Sequence, residues 1–290
     1  MQALIQVILL RLVKNLLFFP EVESTQNFAK EMTSKAQQEN IQSSEIIDED
    51  FMILTDYQTK GRGRRENVWI SKDSGVDPLA SLTFTFTRTI PYQQVLKFKL
   101  YPYLVGVALA RSLNNQYFPD IKGAQVQLKW PNDAYLGGKK FSGCLEEGEK
   151  LNSLDLGKVY IGLGININEG HGFTCLAEHT QKSLEKLDIL KSFTEEFLEL
   201  EKLLGIENND NSGVRKLLDL YESLWMHHGQ EVTLEVPEFQ LPGIRLNGKI
   251  AGITDEGFLK VSVGDNLYES YPADDYSLDI KNSRIIRKLQ

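Results

Sequence analysis

The sequence predicts an α+β protein of two domains, and three observations carry that expectation. The chain has 290 residues, against about 150 for a typical domain. Helix-like and strand-like hydrophobic patterns are interleaved as far as His228. From Gly229 the character changes to short β-like runs punctuated by Pro242-Gly243, Asn247-Gly248 and Glu256-Gly257, the spacing of a small barrel. The expected division is residues 1–228 and 229–290.

The composition narrows the class further. With 41% apolar and 25% charged residues the chain is ordinary for a soluble protein, which excludes disorder, collagen and coiled coil. A net charge of -8 repels polyphosphate backbones, so a nucleic-acid function requires a local basic patch. Two cysteines, Cys144 and Cys175, make neither a disulfide framework nor zinc-ligand spacing. A reducing compartment, the cytoplasm, is expected. The apolar run from Ala3 to Leu10 is followed, not preceded, by Arg11 and Lys14, lacks a cleavage site and is too short for a bilayer. It reads as an extension, and no membrane association is expected.

In chain order, Leu16 to Phe19 reads as a strand. Ser24 or Thr25 then starts a helix whose apolar face is Phe28, Met32 and Ala36, spaced four apart. Phe51 to Leu54 reads as a buried strand running into Asp56-Tyr57-Gln58. The alternation of Leu82, Phe84 and Phe86 with Thr83, Thr85 and Thr87 predicts a half-buried strand. Leu100 to Leu113 is a helix with Pro102 harmless in its first turn. Strands follow at Val126–Trp130, Lys140–Glu146 and Val159–Asn166, the first two joined by a hairpin with Gly137-Gly138 at its tip. Helical patterns cover Leu184–Leu204 and Val214–Met226. Four strands close the chain: Glu231–Val236, Gly248–Ile253, Phe258–Val263 and Leu267–Tyr271.

Several segments carry residues suited to chemistry. Gly61-Arg62-Gly63-Arg64-Arg65 concentrates fixed positive charge on a backbone that permits close approach, which suits an anion, although a solvated basic turn has the same composition. Arginine forks can clamp both a carboxylate and a phosphate. Trp69, just beyond, is placed to stack on a purine or to sit in a core. Lys129-Trp130-Pro131-Asn132-Asp133 ends a strand at proline, placing Asn132 and Asp133 at a sheet edge or mouth. Asp133 can hold magnesium, orient an amine, or simply occupy a turn. Lys140 opens a strand among Phe141, Gly143 and Cys144, where its ammonium can stabilise developing phosphate charge or sit solvated at an edge. Asn166, on the apolar strand Gly162–Asn166, can read a base or sugar edge. The histidines, His171, His179, His227 and His228, show no metal-ligand spacing.

Taken in this order, the blocks Glu23-Ser24-Thr25, Tyr57-Gln58, Gly61 to Arg65 with Trp69, Lys129 to Asp133, Lys140 to Gly143 with Leu145 and Glu146, and Gly162 to Asn166 resemble a biotin protein ligase. The match is strong from about Pro20 to Asn168 and weak beyond. The resemblance implies a catalytic domain similar to class II aminoacyl-tRNA synthetases, a mixed sheet flanked by helices, followed by a src-homology-3-like barrel. It implies ATP, biotin and magnesium: biotin is activated as biotinyl-5'-AMP and passed to a lysine of the biotin carboxyl carrier domain of a carboxylase.

By the same resemblance, Ser24, Thr25 and Gln58 contact the biotin head group. Gly61, Arg62, Gly63 and Arg64 cover its carboxylate and the α-phosphate, with Arg65 behind. Trp69 stacks on adenine, Asn132 and Asn166 line the nucleotide, Lys140 binds carboxylate and phosphate, and Gly143 packs on the biotin tail. Lys140, Arg62 and Asp133 are the catalytic candidates; magnesium ligands are not assigned. Glu66, Asn67 and Gln26 depart from the family pattern. With 23 residues before Ser24, too few for a winged helix-turn-helix, DNA binding is not expected. The family often pairs through its sheets, so a homodimer is an open expectation. The competing readings are a lipoate or octanoate ligase of the same superfamily and a nucleic-acid module using the basic loop.

Overall fold

The computed structural model describes residues 12–38, 49–65, 67–71, 80–119, 125–151, 155–170, 172–235, 245–264, 267–271, 276–279 and 281–287. The apolar run of residues 3–10, Glu66, His171 and the Pro242-Gly243 turn lie outside them.

Seven strands form the first sheet: β1 (Asn15–Val22), β2 (Phe51–Gln58), β3 (Ser81–Pro91), β4 (Gln127–Lys129), β5 (Asp133–Leu136), β6 (Lys139–Lys150) and β7 (Leu156–Asn166). Their order is β1-β2-β3-β7-β6-β5-β4, with β1 parallel to β2 and the other pairs antiparallel, so the sheet is mixed as expected. Pro20, which has no N–H to donate, is tolerated because β1 is an edge.

Helix α1 (Thr25–Gln38) crosses from β1 to β2 and packs on one face of the sheet. Ser24 caps it, its Oγ accepting from the Asn27 amide at 3.4 Å. Helices α2 (Tyr101–Tyr117) and α3 (Lys186–Glu201) cover the other face, and α4 (Val214–Ser223) packs on α2. Pro102 occupies the first turn of α2, as its sequence position predicts.

Three expectations need correction. The strand containing Thr83, Thr85 and Thr87 is buried on both faces rather than half-buried, because β3 lies inside the sheet with helices on either side. Its phenylalanines pack on α3, Phe86 meeting Phe197 edge-on at 4.9 Å; on the opposite face Thr85 bonds to Thr25 and Gln26 of α1, while Thr87 bonds to the Phe51 backbone of β2. Next, Val126–Trp130 is not joined directly to Lys140–Glu146: the chain reverses twice, at Trp130–Asn132 and at Gly137-Gly138, and β5 runs between. Asp133 therefore sits inside the sheet, paired with both Lys129 and Gly143, and not at its edge.

Third, the described residues of the tail form six strands, not four. β8 (Glu231–Glu235), β9 (Arg245–Ile253), β10 (Leu259–Gly264), β11 (Leu267–Tyr271), β12 (Tyr276–Asp279) and β13 (Arg284–Arg287) are ordered β11-β10-β9-β8-β13-β12. Tyr92–Leu100, also unforeseen, is a 3-10 helix leading into α2. One continuous apolar core includes residues of both sheets, from Leu12 to Ile285. No helix among the described residues is long and apolar enough to cross a membrane.

Candidate active site

A cavity of about 640 Å³ opens over the β3–β7–β6 face, within the range of small-molecule sites. Its deep end is polar and internally bonded. The Thr25 backbone N–H and hydroxyl donate to Gln58 Oε1 at 2.8 and 3.1 Å. The Thr85 hydroxyl lies 2.8 Å from Thr25 Oγ1 and 3.1 Å from Gln26 Oε1. Gln26 Nε2 donates to the Tyr160 carbonyl at 3.3 Å. All these side chains and Ser24 are buried, so a ligand meets a fixed set of donors and acceptors at the start of a helix, not mobile surface groups.

The roof is the basic loop, folded as a small hairpin. Arg62 bridges Val68, the Gly63 amide donates to Asn67 O at 2.8 Å, and the Trp69 amide to Gly61 O at 2.9 Å. A Cβ on Gly61 would lie 2.2 Å from Trp69 O, so only glycine permits this closure. Gly61 itself backs the loop and is not on the cavity wall, whereas Arg62, Gly63, Arg64 and Arg65 are. Arg65 takes a left-handed φ of 61°. The Trp69 indole lies on β7, where a Cβ on Gly164 would come within 2.3 Å of Cε2, and its Nε1 is buried and unpartnered among the described residues. Val68, Ile70 and Phe173 make an exposed apolar rim.

On the side wall, Lys140 Nζ pairs with Asp133 Oδ1 at 2.7 Å. A register shift in the β5–β6 pairing creates this contact: Ala134 pairs with Ser142 but Tyr135 with Lys140, so Phe141 is skipped. Such a bulge re-aims side chains. Here it brings Lys140 onto the face of Gly143, three residues away, where strict alternation would oppose them. A Cβ on Gly143 would meet Lys140 Nζ at 3.1 Å and Asp133 Oδ1 at 3.4 Å. Lys129 lines the same wall; burial, with the like charge of Lys140, holds its ammonium below the usual lysine value against the pull of Asp133.

Asn132 and Asn166 also line the cavity, but their amide N–H groups are committed to backbone carbonyls, Asn132 to Cys144 and Asn166 to Gly170 and Thr174 at 3.3 and 3.1 Å. Asp133 is the one carboxylate among the described lining residues. No described group of three histidine, cysteine or acidic residues could hold a metal.

The model of the biotin/lipoate A/B protein ligase family matches residues 21–166. Biotin–protein ligase 2 of Arabidopsis thaliana is 31% identical over 250 residues, 82% of this chain and 70% of that protein. The chain belongs to this ligase family. Biotin–protein ligase 1, chloroplastic, of the same plant is 30% identical over 253 residues, again 82% of this chain, which spans 62% of that protein's length. The biotin protein ligase from Aquifex aeolicus in complex with biotin and ATP shares the fold, with a TM-score of 0.63 at 24% identity over 95% of this chain and 100% of that one.

For this ligase-family chain the structure gathers Ser24, Thr25, Gln58, Arg62, Gly63, Arg64, Arg65, Trp69, Asn132, Asp133, Lys140, Gly143 and Asn166 around one cavity and leaves Gly61 behind it. Sequence reasoning missed Thr83, Thr85, Gln26 and Lys129 as cavity residues. The threonines carried a signal, alternation with phenylalanine, that was assigned to solvent; Gln26 registered only as a departure from the pattern. Leu278, contributed by the tail sheet, had no local signal at all.

Proposed function

We propose that this chain is an ATP-dependent ligase that activates biotin as biotinyl-5'-AMP, releasing pyrophosphate, and transfers the biotinyl group to a lysine of a carboxylase's biotin carrier domain. One observation carries the reading: a Lys140–Asp133 pair, seated on Gly143, faces an arginine-lined loop across a cavity with a polar, internally hydrogen-bonded end. A carboxylate resists attack by an amine because it lacks a good leaving group, and a mixed anhydride with AMP supplies one. Bringing that carboxylate to the α-phosphate of ATP sets like charges together. Arg62, Arg64, Lys140 and Lys129 supply cations on the cavity wall to offset the repulsion.

In this scheme Ser24, Thr25, Gln26 and Gln58 receive the biotin head, Gly143 its tail, and Trp69 with Asn132 and Asn166 the nucleotide. A single wall carboxylate fits magnesium that arrives on the triphosphate, which keeps most of its own ligands; Asp133 would hold it. Magnesium would neutralise the phosphates as pyrophosphate leaves. After activation, Asp133 is placed to accept a proton from the incoming lysine, whose ordinary pKa near 10.4 leaves few molecules neutral at pH 7. The exposed apolar rim of Val68, Ile70 and Phe173 suits a protein acceptor. The location we propose is a reducing compartment such as the cytoplasm, consistent with two buried free thiols.

The test is incubation with ATP, magnesium, labelled biotin and a carrier domain, with lipoate as the control acid. Label is expected on the carrier from biotin alone; labelling driven by lipoate and indifferent to biotin overturns the reading. Lys140→Ala is expected to abolish biotin-dependent pyrophosphate–ATP exchange, and exchange at the parental rate removes that lysine from the mechanism.

A further inference from the structure

Arg62, central to the proposed clamp, is itself held from outside the cavity. Its Nη1 donates to Asn27 Oδ1 on α1, and its Nη2 to Glu147 Oε1 on β6 at 3.3 Å. Lys30 Nζ reaches the same Glu147 oxygen at 3.1 Å. Glu147 is not among the cavity-lining residues, so its carboxylate acts on a ligand through neighbours that are, Arg62 and Gln26. Resting on the function proposed above, we propose that Glu147 is a positioning residue: with Asn27 it fixes the Arg62 guanidinium at the cavity wall and so determines how the acid substrate's carboxylate is gripped.

Three arguments support the assignment. A guanidinium fixed at two nitrogens has lost its rotamer freedom before a ligand arrives, so that cost is absent from binding. Loop, helix and strand meet at this group, which makes it a point where the roof is registered against the sheet. Two cations share one carboxylate, leaving a net positive charge to attract an anion. Burial opposes the charge on Glu147, but the hydrogen bond and charge of Lys30, then the Gln26 hydrogen bond and the charge of Arg62, outweigh it and hold the carboxyl below the ordinary glutamate range. A simple strap between β6 and α1 would need only the Lys30 pair and would leave Arg62 out.

The experiment uses the full chain and two readouts. In pyrophosphate–ATP exchange, Glu147→Ala is expected to raise KM for biotin by roughly tenfold, the scale of lost supporting contacts, with kcat and Tm little changed and Glu147→Gln intermediate. In an Arg62→Ala background, Glu147→Ala is expected to add less than about twofold to the loss of biotin binding, because the two act as one unit. Independent multiplicative losses, or a lowered Tm with unchanged KM, overturn the proposal. The second readout needs no activity: tryptic cleavage within residues 62–65 is expected to accelerate several-fold in Glu147→Ala. An unchanged cleavage rate refutes the hold on Arg62. If the parental chain shows no biotin-dependent exchange, the proposed function fails, and cleavage still decides whether Glu147 anchors the loop.

Discussion

At the scale of single residues, the glycines of this site are defined by what lies against them. Gly143 is the sharpest case, since its missing side chain is the space occupied by Lys140 Nζ and Asp133 Oδ1. Gly143→Val is expected to push that ion pair aside, lowering exchange activity at least about a hundredfold while changing stability by about 1 kcal/mol, the ordinary size of a modest overpacking. Steady-state kinetics and denaturant unfolding on the same preparation check it; near-parental exchange would show that the pair is not needed in place. The sequence displayed this glycine, and Lys140 and Asp133, because chemically distinctive residues remain visible in a one-dimensional pattern. It did not display Glu147, which is one of two adjacent glutamates in a strand and acquires meaning only from Asn27, Lys30 and Arg62, each remote in the chain.

At the scale of elements, periodicity located the helices and most strands but misjudged two surroundings. Leu82 to Thr87 alternates as a strand facing water would, yet its threonines are buried and Thr85 bonds to a helix start. Alternation reports polarity of a face, not exposure. The short β5 was hidden because proline at its approach reads as an end, although the chain turns there and resumes pairing at once. The segment between α4 and β8 holds a further surprise in His227, buried with Nδ1 at 2.9 Å from Gln230 Oε1. Burial, with the charge of Lys129 and against the Gln230 hydrogen bond, lowers its pKa from 6.5 to about 4. The folded state thus holds fewer protons than the unfolded one between these values, so this contribution is complete above pH 6.5 and is lost as pH falls toward about 4. The full window amounts to on the order of 3 kcal/mol. Urea unfolding at pH 7 and pH 5 is expected to show a loss that His227→Gln largely removes; an equal loss in the variant assigns the acid sensitivity elsewhere.

At the scale of the whole molecule, the two sheets are joined through side chains that no local pattern announces. The Tyr103 hydroxyl on α2 donates to Gly257 O at 2.6 Å in the tail and accepts from Trp130 Nε1 at 3.0 Å beside the cavity. Tyr103→Phe leaves a buried indole N–H and a carbonyl without that partner, an expected loss of about 1–3 kcal/mol, read by denaturant midpoint with exchange kinetics alongside. A midpoint unchanged within error would mean water replaces the hydroxyl. The apolar interior itself passes from one sheet to the other without a break, and Leu278 of β12 reaches the cavity wall. For chimeras this has a practical cost: the tail is not an interchangeable cassette. A tail borrowed from a relative would bring its own surface against Tyr103 and Trp130, and grafting would succeed only where those contact positions travel with it.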